Sequence, residues 1–145
     1  MLGETREDYD ISIDGDGVWF YRGAKMFRQP VVSFLASRLK MIDNQYYICH
    51  QEQTVPVAVE DVPFVIITTS MEGGVLKGSL ADGREVIIPE QEILLEGDVP
   101  YFSLFWERDS KFSRPAFWQI VPYLVEEDGR QVIRYSSRSA ANPQR

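Results

Sequence analysis

One cysteine and one histidine stand among 145 residues. Cys49 by itself cannot form an intrachain disulfide, and with His50 as its only soft companion no Cys/His metal cluster can be built within the chain. Neighbours on a strand point to opposite faces, so these two do not form a nucleophile pair, and Cys49 reads as a core residue. Long apolar runs are missing too: the strongest, Val62 to Ile67, falls far short of the ~20 residues a membrane helix needs. The first ten residues carry Glu4, Glu7, Asp8 and Asp10 and no apolar centre, so no signal peptide is expected there. A reducing, cytoplasmic setting is the corresponding expectation. G-x-S-x-G, G-x-x-x-x-G-K-[ST], H-E-x-x-H and G-x-G-x-x-G are all absent, which removes the best-marked hydrolase, nucleotide-loop, zinc-protease and dinucleotide signatures. The expectation is a non-enzymatic protein with no metal and no cofactor.

Basic side chains are the scarcer sign, 15 Lys and Arg against 22 Asp and Glu, for a net charge of −7. Binding to bulk nucleic acid is therefore not expected, since that needs a basic face. The charge is unevenly placed, however. Between Val18 and Ile42 stand Arg22, Lys25, Arg28, Arg38 and Lys40 with no acid. From Cys49 to Phe105 the acids return in number, against only Lys77 and Arg84. A hydrophobic share of 44% is enough for a folded core.

Strand signals dominate. Ile11 to Ile13, the turn Asp14-Gly15-Asp16-Gly17 and Val18 to Tyr21 predict a hairpin. The D-x-D-G step could suggest a calcium loop, but the Glu required at its twelfth position is replaced by Lys25, which favours a plain turn. Gln45 to His50 and Thr54 to Val59 predict two more strands, with Pro56 placing the second at an edge or bulge. Phe64 to Thr69, Val75 to Leu80 and Glu85 to Ile88 predict an antiparallel meander turning at Glu72-Gly73-Gly74 and Asp82-Gly83. Ile93 to Leu95 and Tyr101 to Trp106 complete the set, split by Gly97-Asp98 and Pro100.

Two segments have helical spacing: Val32, Leu35, Ala36 and Leu39 after Pro30, with Arg38 and Lys40 in the last turn, and Phe117, Ile120, Val121 and Leu124 after Ser113 and Pro115. Pro122 should stop the second near Val121. Sliding the chain by 85 residues superposes the two, matching Phe27 with Phe112, Pro30 with Pro115, Leu39 with Leu124 and Asp43 with Asp128. The expected fold is α+β, a duplicated strand-helix-strand unit on antiparallel sheets. Its layout is a flexible acidic N-terminus over 1–10, an N-terminal α+β subdomain over 11–62, a C-terminal β-rich subdomain with one helix over 63–137, and a flexible tail over 138–145. Glu60-Asp61-Val62-Pro63 joins the halves, with Pro63 fixing the direction of the chain.

The stretches Asp16-Gly17-Val18-Trp19-Phe20-Tyr21-Arg22-Gly23, Tyr46-Tyr47 and Val59-Glu60-Asp61-Val62-Pro63-Phe64-Val65 resemble a bacterial family known as domain of unknown function 1285. The resemblance is best over residues 11–67. It departs at Gln91-Glu92-Ile93, where the family usually has His-Pro-Leu, and at Ser136-Ser137-Arg138-Ser139, where a glycine-containing ending is usual. The resemblance implies a duplicated α+β core, a C-terminal half similar to pleckstrin-homology-like folds, and a ligand site at the subdomain interface with a role in signal transduction. It implies no enzymatic activity.

The residues themselves suggest an anion site. Arg22, Lys25 and Arg28 precede the first helix, and Arg108, Lys111 and Arg114 hold the corresponding place before the second. Helix N-termini offer unpaired N–H groups and partial positive charge, which suits phosphate. Trp19 and Tyr21, with Trp106 and Trp118, are candidate stacking faces for a base. The expected function is a non-enzymatic ligand-binding or signal-transduction module taking a nucleotide or phosphate-bearing ligand at the subdomain interface. The alternative is a protein-interaction adaptor that docks a partner on the acidic meander from Phe64 to Leu95 and takes no small molecule.

Overall fold

Ile11, Ser12 and Ile13 are all buried and form β1 (Ile11–Ile13), which runs antiparallel to β2 (Trp19–Tyr21). Asp14 closes the turn between them, its carboxylate accepting the N–H groups of Asp16 and Val18 at 2.9 Å each. The carboxylate is thus used in the hairpin itself, as the plain-turn reading requires. The computed structural model describes residues 9–136. The flexible ends expected over 1–10 and 138–145 lie outside that range, apart from Tyr9 and Asp10.

The chain divides into two units, one running to Phe64 and including Ala81–Arg84, the other comprising Val65–Leu80 and the chain from Glu85 onward. In the first unit, β3 (Ala24–Lys25), α1 (Gln29–Ser37), β4 (Leu39–Ile42), β5 (Gln45–His50) and β6 (Gln53–Val59) follow β2. The strand order is β3-β2-β1-β6-β5-β4, mixed because β1 lies parallel to β6. β6 is therefore an interior strand, and its register with β5 runs unbroken through Pro56, against the expectation that Pro56 puts it at an edge or a bulge. Pro56 is tolerated because pairing with β1 starts only at Val57, one residue later, so the missing N–H is not needed there. Ile13, Trp19 and Val57 are the most deeply buried side chains of this sheet.

The first helix is shorter than its spacing predicts. Leu39 and Lys40 are not in its last turn but begin β4, and Arg38 is the residue that ends the helix, its N–H bonded to Leu35 O at 3.0 Å. Leu39 keeps its burial by pairing opposite Ile48. A seven-residue hydrophobic interval thus spans a helix and the strand after it. Cys49, expected in the core, is only half-buried.

The second unit contains β7 (Phe64–Glu72), β8 (Val75–Leu80), β9 (Glu85–Ile87), β10 (Glu92–Glu96), β11 (Val99–Phe102), β12 (Ser110–Phe112), α2 (Arg114–Ile120), β13 (Leu124–Glu127) and β14 (Arg130–Ile133). Its order is β13-β14-β10-β11-β12-β7-β8-β9, with β7, β8 and β9 forming the antiparallel meander. Phe102 stacks on Phe112 at 4.3 Å between ring centres, and Ile66, Leu76, Leu80 and Ile88 fill the core beside them. Ser113 caps α2 by accepting the Ala116 N–H at 3.3 Å, and Pro122 falls in a 3-10 turn, Val121–Tyr123, that ends the helical segment. Leu124 starts β13 and does not belong to the helix.

The strand expected over Tyr101 to Trp106 stops at Phe102. Beyond it the backbone bends around Asp109, which is fully buried. Its carboxylate accepts the N–H groups of Leu104 and Phe105 at 2.8 Å and of Trp106 at 2.9 Å, and the Ser110 hydroxyl at 2.8 Å. An extended strand would leave that carboxylate buried without partners. The fold is α+β and rich in sheet.

Candidate functional site

The first unit gathers chemistry around the end of the β2–β3 hairpin. The Met26 N–H bonds Trp19 O at 2.9 Å, holding the chain against β2 before it passes through Phe27 and Arg28 into α1. Pro30 occupies the first turn of α1, where its missing N–H costs nothing. Arg28 is the N-cap. Its carbonyl takes the Val31 and Val32 N–H groups at 3.0 and 3.1 Å, and its side chain makes no cap. No acid stands in the first helical turn.

A pocket of about 280 Å³ opens here, lined by Gly17, Trp19, Lys25, Phe27, Gln29 and Ala81 among others. Lys25 and Phe27 are exposed, with the ammonium 5.7 Å from the ring centre. The floor is Trp19, 2% exposed. Its indole N–H is buried with no hydrogen-bond partner among the described residues. Gln29 donates its side-chain amide to the Asp82 carbonyl, and Ser33 Oγ donates to the same oxygen at 2.7 Å. Gly83 next door has φ +98°, and a Cβ there would collide with the Gln29 side chain, so glycine is required both for backbone conformation and for space. Asp82 itself is buried and accepts Arg84 through both carboxylate oxygens, at 3.1 and 3.0 Å.

The expected site residues fall into different surroundings. Trp19 and Lys25 line the pocket, and Arg28 follows on the exposed start of α1. Trp19 is core, so it cannot offer a ring face for stacking; the open aromatic at the pocket is Phe27, 81% exposed, and Trp118 is exposed on α2. Tyr21 is exposed and Arg22 lies over its ring at 5.3 Å, with the guanidinium Nε 3.2 Å from Asp10. Arg22 thus already faces a carboxylate.

In the second unit, Arg108 pairs with Glu96 at 2.6 Å and lies over Tyr101 at 4.7 Å. Trp106 is half-buried beside Phe105, and Lys111 is half-buried in β12. Arg114 is exposed at the start of α2, a helix of only 7 residues. Successive N–H groups there do form an anion nest, from Leu104 to Trp106, but Asp109 fills it from within the chain.

Sequence reasoning missed Phe27, Gln29 and Asp109. Phe27 was hidden by the 85-residue register, which sets it against Phe112: one is 81% exposed and the other 2%. Asp109 gave no signal of its burial: it stands in the polar run Glu107-Arg108-Asp109-Ser110-Lys111, which reads as a solvated connection. Perturbed titration lies elsewhere. Burial works against the charged form of Glu90, but the N–H groups of Tyr135 and Ser136, the Ser136 hydroxyl and the Arg134 charge together hold its carboxyl below the ordinary value. The Arg134 hydrogen bonds lower Glu127 likewise, at 2.7 and 2.9 Å. Among the described residues, no group of His, Cys, Asp and Glu could hold a metal ion, and no helix is long and apolar enough to cross a membrane.

Residues 3–62 match the family model described as domain of unknown function (DUF1285), N-terminal domain. In that segment the chain resembles the DUF1285 N-terminal domain. Two solved DUF1285 family proteins share the fold at low identity. The crystal structure from Shewanella baltica OS155 aligns with a TM-score of 0.66 and 23% identity over 80% of this chain and 93% of that one. The one from Silicibacter pomeroyi DSS-3 aligns with a TM-score of 0.67 and 20% identity over 91% of this chain and 83% of that one. No protein of curated function matches. The DUF1285 match ends close to where the first unit reaches Phe64, and the pocket residues Trp19, Lys25, Phe27 and Gln29 all lie inside it.

Proposed function

We propose that this chain is a non-enzymatic recognition module whose first unit binds a small phosphate-bearing ligand, with a role in signal transduction. The observation that carries the reading is the pocket that joins Lys25, the first residue of α1 and an apolar wall of Trp19 and Phe27. Lys25 supplies a point charge, the helix start adds partial positive charge, and Phe27 supplies an open ring. At about 280 Å³ the space lies at the lower end of ligand pockets, which suits phosphate or a small phosphate ester such as a mononucleotide better than a dinucleotide. The test is calorimetric titration of the full chain with orthophosphate, pyrophosphate and nucleoside monophosphates. Binding by the native chain and its loss in Lys25→Glu, with an unchanged melting temperature, supports the proposal. No heat from any of these compounds sinks it.

The duplication belongs to the same proposal. It is supported by α1 and α2 starting 85 residues apart at Gln29 and Arg114, and by β4 and β13 spanning the matching intervals Leu39–Ile42 and Leu124–Glu127. The turn after each strand has positive φ at both central residues, 51° and 65° at Asp43-Asn44 and 55° and 80° at Asp128-Gly129. That is the hairpin geometry whose twist fits the strands beside it. A pleckstrin-homology-like character for the C-terminal half draws support from its antiparallel pairings β7–β8–β9 and β10–β11–β12.

One observation favours the adaptor reading. β9 ends its sheet with Ile87 57% exposed, and Leu94 and Leu95 are open on β10 among Glu92 and Glu96. A partner docking there would carry bases and apolar anchors.

A further inference from the structure

The helix α1 is apolar on two opposite sides. One side buries Val32 and Ala36, as a surface helix should. The other carries Phe27 just before the helix, then Val31 and Phe34, which are 81%, 44% and 42% exposed. Val31 and Phe34, three residues apart, fall in one line along the helix, and Phe27 stands exposed just ahead of its first turn. The line continues into Arg38, whose guanidinium lies 4.9 Å over the Phe34 ring, while His50 meets the same ring edge-on at 5.1 Å. A solvated helix face is expected to be polar, and a contiguous exposed apolar stripe on a folded chain marks a place where something docks.

The charge around the stripe says what kind of occupant fits. Lys25 precedes the helix, Arg28 is its N-cap and Arg38 ends it, and from Val18 to Ile42 there is no acid. Lys25 and Arg38 are held against Phe27 and Phe34, so bases and rings form one surface. An anionic membrane would also see this patch, but a flat lipid surface brings its charge against the rest of a molecule whose net charge is −7. A peptide segment meets only the patch, within the ~8 Å over which charges act at physiological salt.

We infer that the outer face of α1 is a docking surface for an acidic, amphipathic segment of a partner protein, with apolar side chains seated on Phe27, Val31 and Phe34 and carboxylates on Arg28 and Arg38. This is helix-face recognition, read through anchors three and four residues apart. Val31 and Phe34 lie on the side of α1 away from Val32 and Ala36, and the surface shares Phe27 with the pocket lining.

The probe is a fluorescein-labelled synthetic helix of Glu, Leu and Phe with its apolar residues on one face, titrated with the full chain and read by fluorescence anisotropy. Beside it run the same composition scrambled to destroy the apolar face, a Lys-for-Glu version, and phosphatidylserine vesicles. Two double variants are compared, Phe27→Ser with Phe34→Ser and Arg28→Glu with Arg38→Glu. All four sites are exposed, so both variants should keep the native circular dichroism and melting temperature, and that is checked first. The inference expects the acidic amphipathic peptide to bind, each double variant to weaken it by about tenfold or more, and added salt to weaken the native complex but not the charge-reversed one, where like charges face each other. It is overturned if the peptide does not bind, if either variant binds as well as the native chain, if the scrambled or Lys version binds equally, or if vesicles bind and the peptide does not. Should the charge-reversed variant fail to fold, Arg28→Gln with Arg38→Gln takes its place with the same expected direction.

Discussion

Asp109→Asn replaces one buried carboxylate oxygen by an amide of nearly the same shape, and the hydrogen bonds set its cost. Oδ2 holds the N–H groups of Phe105 and Trp106, while Oδ1 holds the Leu104 N–H and the Ser110 hydroxyl. The new NH₂ will take the Oδ1 place, because a hydroxyl can turn and accept whereas two backbone N–H groups cannot. The Leu104 N–H then faces a donor, and two remaining bonds lose their charge assistance. A hydrogen bond to a charged group contributes about 1.5–3 kcal/mol, so the loss of one and weakening of two comes to roughly 2–4 kcal/mol. Asp109→Ala removes the acceptor for all three N–H groups and should cost more, about 4–5 kcal/mol. At roughly 2–4 °C per kcal/mol for a chain of this size, the Asn variant should melt about 4–15 °C lower. Urea unfolding followed by tryptophan fluorescence and by far-ultraviolet circular dichroism measures the change. An Asn variant within about 0.5 kcal/mol of the native chain would refute the reasoning, because it would mean the nest does not need its anion.

Two further expectations concern the second unit. A Cβ at Gly78 would sit 2.8 Å from Ile88 Cδ1 and 2.9 Å from Ile66 Cδ1, both side chains fully buried, so Gly78→Ala should destabilise by about 1–3 kcal/mol; pairing it with Ile88→Val should recover part of that loss in denaturant titration. Glu90 has its carboxyl held below the ordinary 4.5, so its contribution is complete above that pH and disappears as pH falls through the lower folded value. Amide exchange at Tyr135 and Ser136, whose N–H groups donate to it at 2.5 and 2.6 Å, should therefore lose protection on acidification below about pH 4.5, after correction for the intrinsic rate. In Glu90→Gln that acid dependence should vanish, and its persistence would exclude Glu90 as the cause.

What could be read in advance depended on whether a signal was local. β5 and β8 match the expected intervals Gln45 to His50 and Val75 to Leu80, because alternation and flanking turn residues define a strand without help from distant parts of the chain. Leu39 and Leu124 were misplaced for the opposite reason. A helix followed at once by a strand can keep a hydrophobic residue at the helical interval by coincidence, and only the β4–β5 and β13–β14 pairings separate the two cases. The short strands β3 and β12 have too few residues to show a period. For the site, Lys25 and Trp19 were legible as residue types near a helix start, but their roles differ: one is open charge and the other is floor. Exposure decides that, and exposure at Phe27 and Phe112 is set by what packs around each, which no single-chain periodicity encodes.

The first unit is not contiguous in sequence. Its acceptor for the side chains of Gln29 and Ser33 is the Asp82 carbonyl, at the tip of the β8–β9 hairpin, well beyond the residue at which the N-terminal family match stops. A gene fragment cut after Phe64 would carry every strand of the first sheet and still lack that carbonyl. The two units are therefore poor candidates for separate inheritance: shuffling the first into another protein would deliver a helix with two stranded donors, and only a transfer reaching past Arg84 would move it whole.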